Sequence, residues 1–140
     1  MCKSRAGREL REFQLTQEGL ITLSKASHIP MLHVYDKMYW HVSLADARLL
    51  IAEVVPSMPK YEKERVDCNN MASIFHGRFV EWYGINTMGL VSIPALEHMI
   101  NLFPAEVAGW VRLYFVEPQS GHVEPLVNAV GWKAGEWWMF

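Results

Sequence analysis

Apolar positions along the chain follow two periods, and the change falls at Gly84. Before it, two stretches repeat at helical spacing. Ser43 opens the first, with Asp46 three residues on in a capping-box-like arrangement. Leu44, Ala47, Leu50, Ile51 and Val54 form its stripe, and Pro56 and Pro59 close it. Asp67 is a good N-cap for the second, at about residues 68–82. Met71, Ala72, Phe75, Phe79 and Trp82 are its apolar stripe, and Gly84 is placed to end it. After Gly84 the segments 85–93, 98–103, 111–118 and 122–127 read as strands, rich in Val, Ile, Phe and Tyr and punctuated by Pro, Gly and Asn. Short gaps make antiparallel neighbours the expectation.

The order, helices then a meander, reads as α+β. Residues 7–26 mix weak helical and strand signals. Residues 27–43 read as loop and short extended pieces, because Pro30 breaks regular structure. Residues 131–140 read as a last strand or a packed tail.

Composition places this pattern in one folded domain, residues 1–140. Of the 140 residues, 51% are apolar and 20% charged, enough to build a core without staples. Net charge is −2 and no basic stripe dominates, which argues against nucleic acid as a partner. The basic residues of the first twelve, Lys3, Arg5, Arg8 and Arg11, alternate with Glu9 and Glu12 and read as a solvated helix face. No apolar run reaches the roughly 18 residues of a membrane span, and the N-terminus lacks a secretory h-region. The expectation is a soluble, cytoplasmic protein without a membrane partner. Two cysteines, Cys2 and Cys68, make no disulfide scaffold. Cys2 is expected to lie in a frayed terminus.

Cys68 is the residue placed for chemistry. A helix start presents unpaired N–H groups and the positive end of the macrodipole, so a thiolate is favoured there and an oxyanion is stabilised. Asp67 works partly against this. A cysteine nucleophile needs a histidine and a third, orienting group. His76 fails on geometry, because eight residues of helix put it roughly 12 Å away. His98 opens the second proposed strand and Glu117 ends the next. If these strands pair as a hairpin, the two side chains meet. A lone cysteine at a helix start is more often structural, and the spacing also suits a surface histidine and a strand-end carboxylate.

"YEKERVDCNNMA", "YGINTMGLV", "EHMINLF" and "VEPQSG" together resemble prokaryotic and phage proteins related to the C-terminal domain of the fairy-ring mushroom agglutinin. The resemblance covers residues 61–121. It implies a papain-like (transglutaminase-like) fold with a helix bearing the cysteine at its N-terminus, packed on an antiparallel sheet. It also implies a Cys-His-Glu triad in which Cys68 is the nucleophile, His98 the base and Glu117 the orienting acid. The expected function is a cysteine peptidase or amidase acting on a peptide or protein substrate. The alternative is a non-catalytic binding protein on the same fold, phage-encoded and acting on a host protein. The Cys68 backbone N–H is an expected oxyanion donor, with Asn69, Gln119, Tyr61 and Trp40 as supporting candidates. The chain departs from the family at Asn69 and Asn70, where acids are expected, and at Met99, where a small residue is expected. The family resemblance brings calcium dependence with it, but no ligands map onto this chain, and no cofactor is assigned.

His28, His33 and His41 with Asp36 have spacings that suit neither a helix face nor a strand face, so they carry no metal assignment. Cys68 and His98 lack the further ligands of a structural zinc site.

Overall fold

Residues 2–29, 31–93, 97–126 and 136–139 are described by the computed structural model of the chain. The N-terminus is a hairpin, β1 (Cys2–Lys3) against β2 (Glu9–Leu10), then β3 (Phe13–Thr16) and α1 (Gln17–Ala26). β4 (Met31–Val34) and β5 (Met38–His41) follow, and β5 pairs antiparallel with β3. α2 (Leu44–Val54) runs into a 3₁₀ turn at Val55–Ser57, and α3 spans Cys68–Tyr83. The meander is β6 (Gly89–Ile93), β7 (His98–Val107), β8 (Trp110–Glu117) and β9 (His122–Pro125), with β10 (Glu136–Met139) last. The main sheet has the order β4-β10-β6-β7-β8-β9. All its pairings are antiparallel except β10 with β4, which is parallel. The fold is mixed α and β, built mainly on antiparallel pairing.

Both long helices start where the sequence placed them. Ser43 Oγ accepts the Asp46 N–H, and Gly84, at φ 68, takes the left-handed conformation that ends α3. Pro56 lies inside the 3₁₀ turn at its second residue, where a missing N–H is tolerated. β7 runs to Val107, past the expected stop at Pro104. The β6 ladder has already ended at Leu102, so the missing Pro104 N–H costs no bond on that side. Residues 85–88 precede β6 rather than belonging to it. On α3, Tyr83 is buried while Trp82 is only half-buried. Of the expected C-terminal segments, residues 131–135, Val127 and Phe140 lie outside the described residues.

Two expectations are corrected at the N-terminus. The basic stretch forms the β1–β2 hairpin instead of a helix, and Cys2 is buried in it rather than frayed. The hairpin is held by Glu53 of α2. Glu53 Oε2 accepts the Arg5 N–H at 2.8 Å and the Tyr83 hydroxyl at 2.7 Å, and Oε1 accepts the Ala6 N–H at 3.3 Å. Arg5 stacks on Trp82, 4.1 Å from the ring centroid. Desolvation works to raise the Glu53 carboxyl pKa, but the donors around it outweigh this and hold it below its ordinary value. Burial, reinforced by the charge of Glu12, pushes the Cys2 thiol up to about 11, so it is a poor nucleophile at neutral pH.

The sheet separates two apolar clusters. α2 and α3 contribute Leu50, Val54, Phe75 and Phe79 to one, with Phe103 and Val116 from the sheet. Leu20 of α1 and Tyr39 of β5 join Val91, Ile100 and Leu102 in the other. His41 ends β5 buried, stacked on Phe13 with ring centroids 5.5 Å apart. Neither ring nitrogen has a hydrogen-bond partner among the described residues. Burial lowers its pKa from 6.5 to about 4, against the opposing charge of Glu106.

The imidazole must therefore be neutral in the folded state, whereas the unfolded chain takes up a proton below its ordinary value. Stability contributed by His41 is full above about pH 6.5 and falls as the pH drops toward 4, by roughly 3 kcal/mol in all. Urea unfolding from about pH 7.5 to about pH 5 should show about 2 kcal/mol of this loss, and His41→Phe should flatten it. An unchanged slope in the variant would remove His41 as its source.

Candidate functional site

The site is built on the start of α3. Asp67 is the N-cap: its Oδ1 accepts the N–H of Asn69 at 3.2 Å and of Asn70 at 3.5 Å. Asn70 Oδ1 reciprocates by accepting the Asp67 N–H at 3.2 Å, completing a capping box. Asn70, one of the two residues that depart from the acidic pattern, thus has a structural task. The Met71 N–H bonds Asp67 O. Of the N–H groups in this first turn, only that of Cys68 has no acceptor among the described residues. It is the group an oxyanion would find free.

Cys68 is partly exposed and not disulfide-bonded. Its Sγ lies 3.7 Å from Asn69 Oδ1, within reach of a weak thiol hydrogen bond. No hydrogen bond joins Cys68 to His98.

His98 and Glu117 do meet. β7 and β8 form the expected antiparallel hairpin, with Asn101 opposite Val116 and Val107 opposite Trp110. The start of one strand therefore lies beside the end of the other. His98 Nε2 is 2.7 Å from Glu117 Oε2. Both side chains are partly buried, 33% and 26% exposed, so this pair is less screened than a surface ion pair. With Nε2 donating to Glu117, Nδ1 is the ring nitrogen left to exchange a proton. Glu117 Oε1 is buried without a partner among the described residues.

Asn101 connects these two parts. It is fully buried, and its Nδ2 donates to Ala72 O at 3.0 Å. Ala72 is one helical turn from Cys68, and Asn101 is three residues along β7 from His98. The bond therefore ties the element that starts at the thiol to the element that starts at the imidazole. Sequence reasoning passed over Asn101, although an amide inside the apolar run "MINLF" was the available signal. Asn86 was missed as well. It accepts the Trp40 N–H at 2.8 Å and donates to Asp36 Oδ2 and Met38 O, holding β5 to the loop before β6.

The supporting candidates separate. The Trp40 N–H is taken by Asn86, and its carbonyl accepts the Thr87 hydroxyl. Asn69 has its backbone N–H in the cap and its side chain beside the thiol. Gln119 is exposed in the β8–β9 turn, and Tyr61 is exposed before α3. Among the described residues no group of three or more His, Cys, Asp or Glu side chains is placed to hold a metal ion.

No family model and no curated protein sequence matches the chain. Solved structures do. One is a PSL1a-E64 complex, with TM-score 0.62 and 20% identity, covering 79% of this chain and 45% of that chain. Another is a lectin from Polyporus squamosus bound to the human-type influenza-binding epitope Neu5Aca2-6Galb1-4GlcNAc, with TM-score 0.60 and 22% identity, covering 79% of this chain and 45% of that chain. At this identity the likeness is one of fold. The chain spans less than half the length of these neighbours.

The cap makes a direct prediction. Asp67→Ala removes the acceptor for two N–H groups and should cost about 1 kcal/mol of unfolding free energy. Chemical denaturation measures it, and an unchanged midpoint would mean the capping box does not hold this helix end.

Proposed function

We propose that the chain is a papain-like cysteine hydrolase, cleaving a peptide or amide bond with Cys68 as nucleophile, His98 as base and Glu117 as orienting acid. The observation that carries the reading is the 2.7 Å contact between His98 Nε2 and Glu117 Oε2 on adjacent strands. A carboxylate on Nε2 fixes the tautomer in which Nδ1 is bare, as a general base requires. Attack requires the thiol to leave Asn69 Oδ1 and give its proton to His98 Nδ1. Catalytic hydrogen bonds in unliganded enzymes are often loose and tighten around substrate.

In this mechanism the thiolate adds to the carbonyl carbon and the carbonyl π pair moves to oxygen. The unoccupied Cys68 N–H is one donor to that oxyanion. Collapse breaks the C–N bond as His98 returns its proton to the leaving nitrogen. Water, deprotonated by the same ring, then releases the acid and restores the thiol. Glu117 stays ionised and stabilises the imidazolium. The substrate class is a peptide or protein. Family resemblance adds calcium, but the described residues offer no matching ligand cluster, and no step runs through it.

The comparisons weigh toward a second reading from a different class, a non-catalytic binding protein on the same fold. One neighbour is a lectin bound to a glycan epitope, and the Cys68–His98 bond is not formed. Under this reading the thiol is dispensable.

Mass spectrometry with iodoacetamide or the epoxide E64 tests the first reading. Cys68 should be modified at neutral pH while buried Cys2 is not, and His98→Ala should slow the modification at least about tenfold by removing the proton acceptor. Cys68→Ala should keep the fold and abolish any biological activity. An active Cys68→Ala protein would rule out nucleophilic catalysis by Cys68 and leave the binding reading.

A further inference from the structure

Two open cavities follow the outer flank of α2. One, of about 430 Å³, lies where the start of α2 meets the β7–β8 turn, and Leu44, Arg48 and Val107 line it. The other, of about 300 Å³, lies where the end of α2 meets the β8–β9 turn, and Arg48, Ile51, Val55 and Pro56 line it beside Gly121. Arg48 borders both, so they form one groove with apolar lining at each end and a basic residue midway. Glu106 also borders the first cavity, but its Oε1 accepts the Gly109 N–H at 2.6 Å. From Leu44 to Val55 the groove follows roughly 16 Å of helix, the reach of about five residues of extended chain.

β8 supplies the facing wall. Tyr114 and Val116 belong to the apolar cluster under α2, whereas Leu113 belongs to the cluster on the other side of the sheet. Alternation therefore turns Trp110 and Arg112 to the α2 side, as their register partners Val107 and Ala105 agree. β9 stops at Pro125, opposite Tyr114, so its ladder does not cover Arg112. Trp110 is 70% exposed, and Arg48 and Arg112 are exposed as well. Arg8, Arg65 and Arg78 reach the carboxylates of Asp46, Glu62 and Glu81, while Arg5 and Arg11 lie over aromatic rings. Arg48 and Arg112 have neither kind of partner among the described residues. Two positive charges on one flank, without a counter-charge of their own, complement carboxylates from outside. Trp and Arg are also the side chains that most often anchor a protein partner.

We propose that this groove docks an extended acidic segment of a protein partner. The carboxylates of the segment lie on Arg48 and Arg112, and its apolar side chains pack on Trp110 at one end and on Val55 and Pro56 at the other. Cys68, His98 and Glu117 are not part of the groove, so the proposal stands or falls separately from the hydrolase reading.

The probe is a capped peptide with two central glutamates and a leucine at each end, titrated into the intact chain while amides are followed by NMR. It should bind with a dissociation constant at or below about 1 mM and move the amides of Arg48, Val55 and Arg112 and the indole N–H of Trp110. The same peptide with glutamines for glutamates should bind at least about tenfold more weakly, and added salt should weaken the acidic peptide alone. All three side chains are exposed, so their variants should keep the fold. Arg48→Gln and Arg112→Gln together should weaken binding at least about tenfold, lysine at both positions should keep part of the affinity, and Trp110→Ala should cost at least about fivefold. Cys68→Ala should bind as the unmodified chain does. No binding of the acidic peptide at millimolar concentration, equal binding of the glutamine peptide, or unchanged affinity in the double glutamine variant would each overturn the proposal. Inorganic phosphate binding as tightly as the peptide would make the groove an anion site and overturn it too.

Discussion

Burial of β7 on both faces is the constraint from which the rest follows. Ile100 to Ala105 are buried without interruption, because α2 and α3 cover one side of the sheet and α1 with β5 the other. A strand buried on both faces cannot slip by one residue without exchanging its partners in both clusters. The register against β6 and β8 is thereby set, which brings His98, at the start of β7, to Glu117, at the end of β8. Asn101 sits inside the same run and extends the constraint to α3 by its bond to Ala72 O. The polar pair at the mouth of the sheet thus rests on apolar packing several residues away.

The parts legible in the sequence are those whose signals are local. Ser43 and Asp67 announce helix starts because capping uses residues three apart or fewer, and Phe75 and Phe79 mark a buried stripe within two turns. The meander after Gly84 was readable for the same reason: its partners follow one another. What escaped has distant partners. β4 pairs with β10 from the far end of the chain, and β1 and β2 are two residues each, too short for a periodic signal. Arg5 and Ala6 are held by a carboxylate on α2, which turns an expected solvated segment into a docked hairpin.

The site divides along the same line. Adjacency of His98 and Glu117 follows from a hairpin, so alternation and turn positions were enough to anticipate it. The roles proposed for them with Cys68 rest on resemblance to a family. The first turn of α3 also explains a departure from that family: Asn70 serves the capping box, and Asn69 faces the thiol. Neither asparagine decides between hydrolase and binder. That decision depends on the state of the His98 ring, since a base must present a bare nitrogen while a structural histidine has no such requirement.

The most direct test of that point is the ¹⁵N NMR spectrum of the His98 imidazole, compared between the unmodified chain and Glu117→Gln. Neutral His98 should carry its proton on Nε2, bonded to Glu117, with Nδ1 bare, and Glu117→Gln should redistribute the tautomers. A neutral ring protonated on Nδ1, or a tautomer population indifferent to Glu117→Gln, would contradict it.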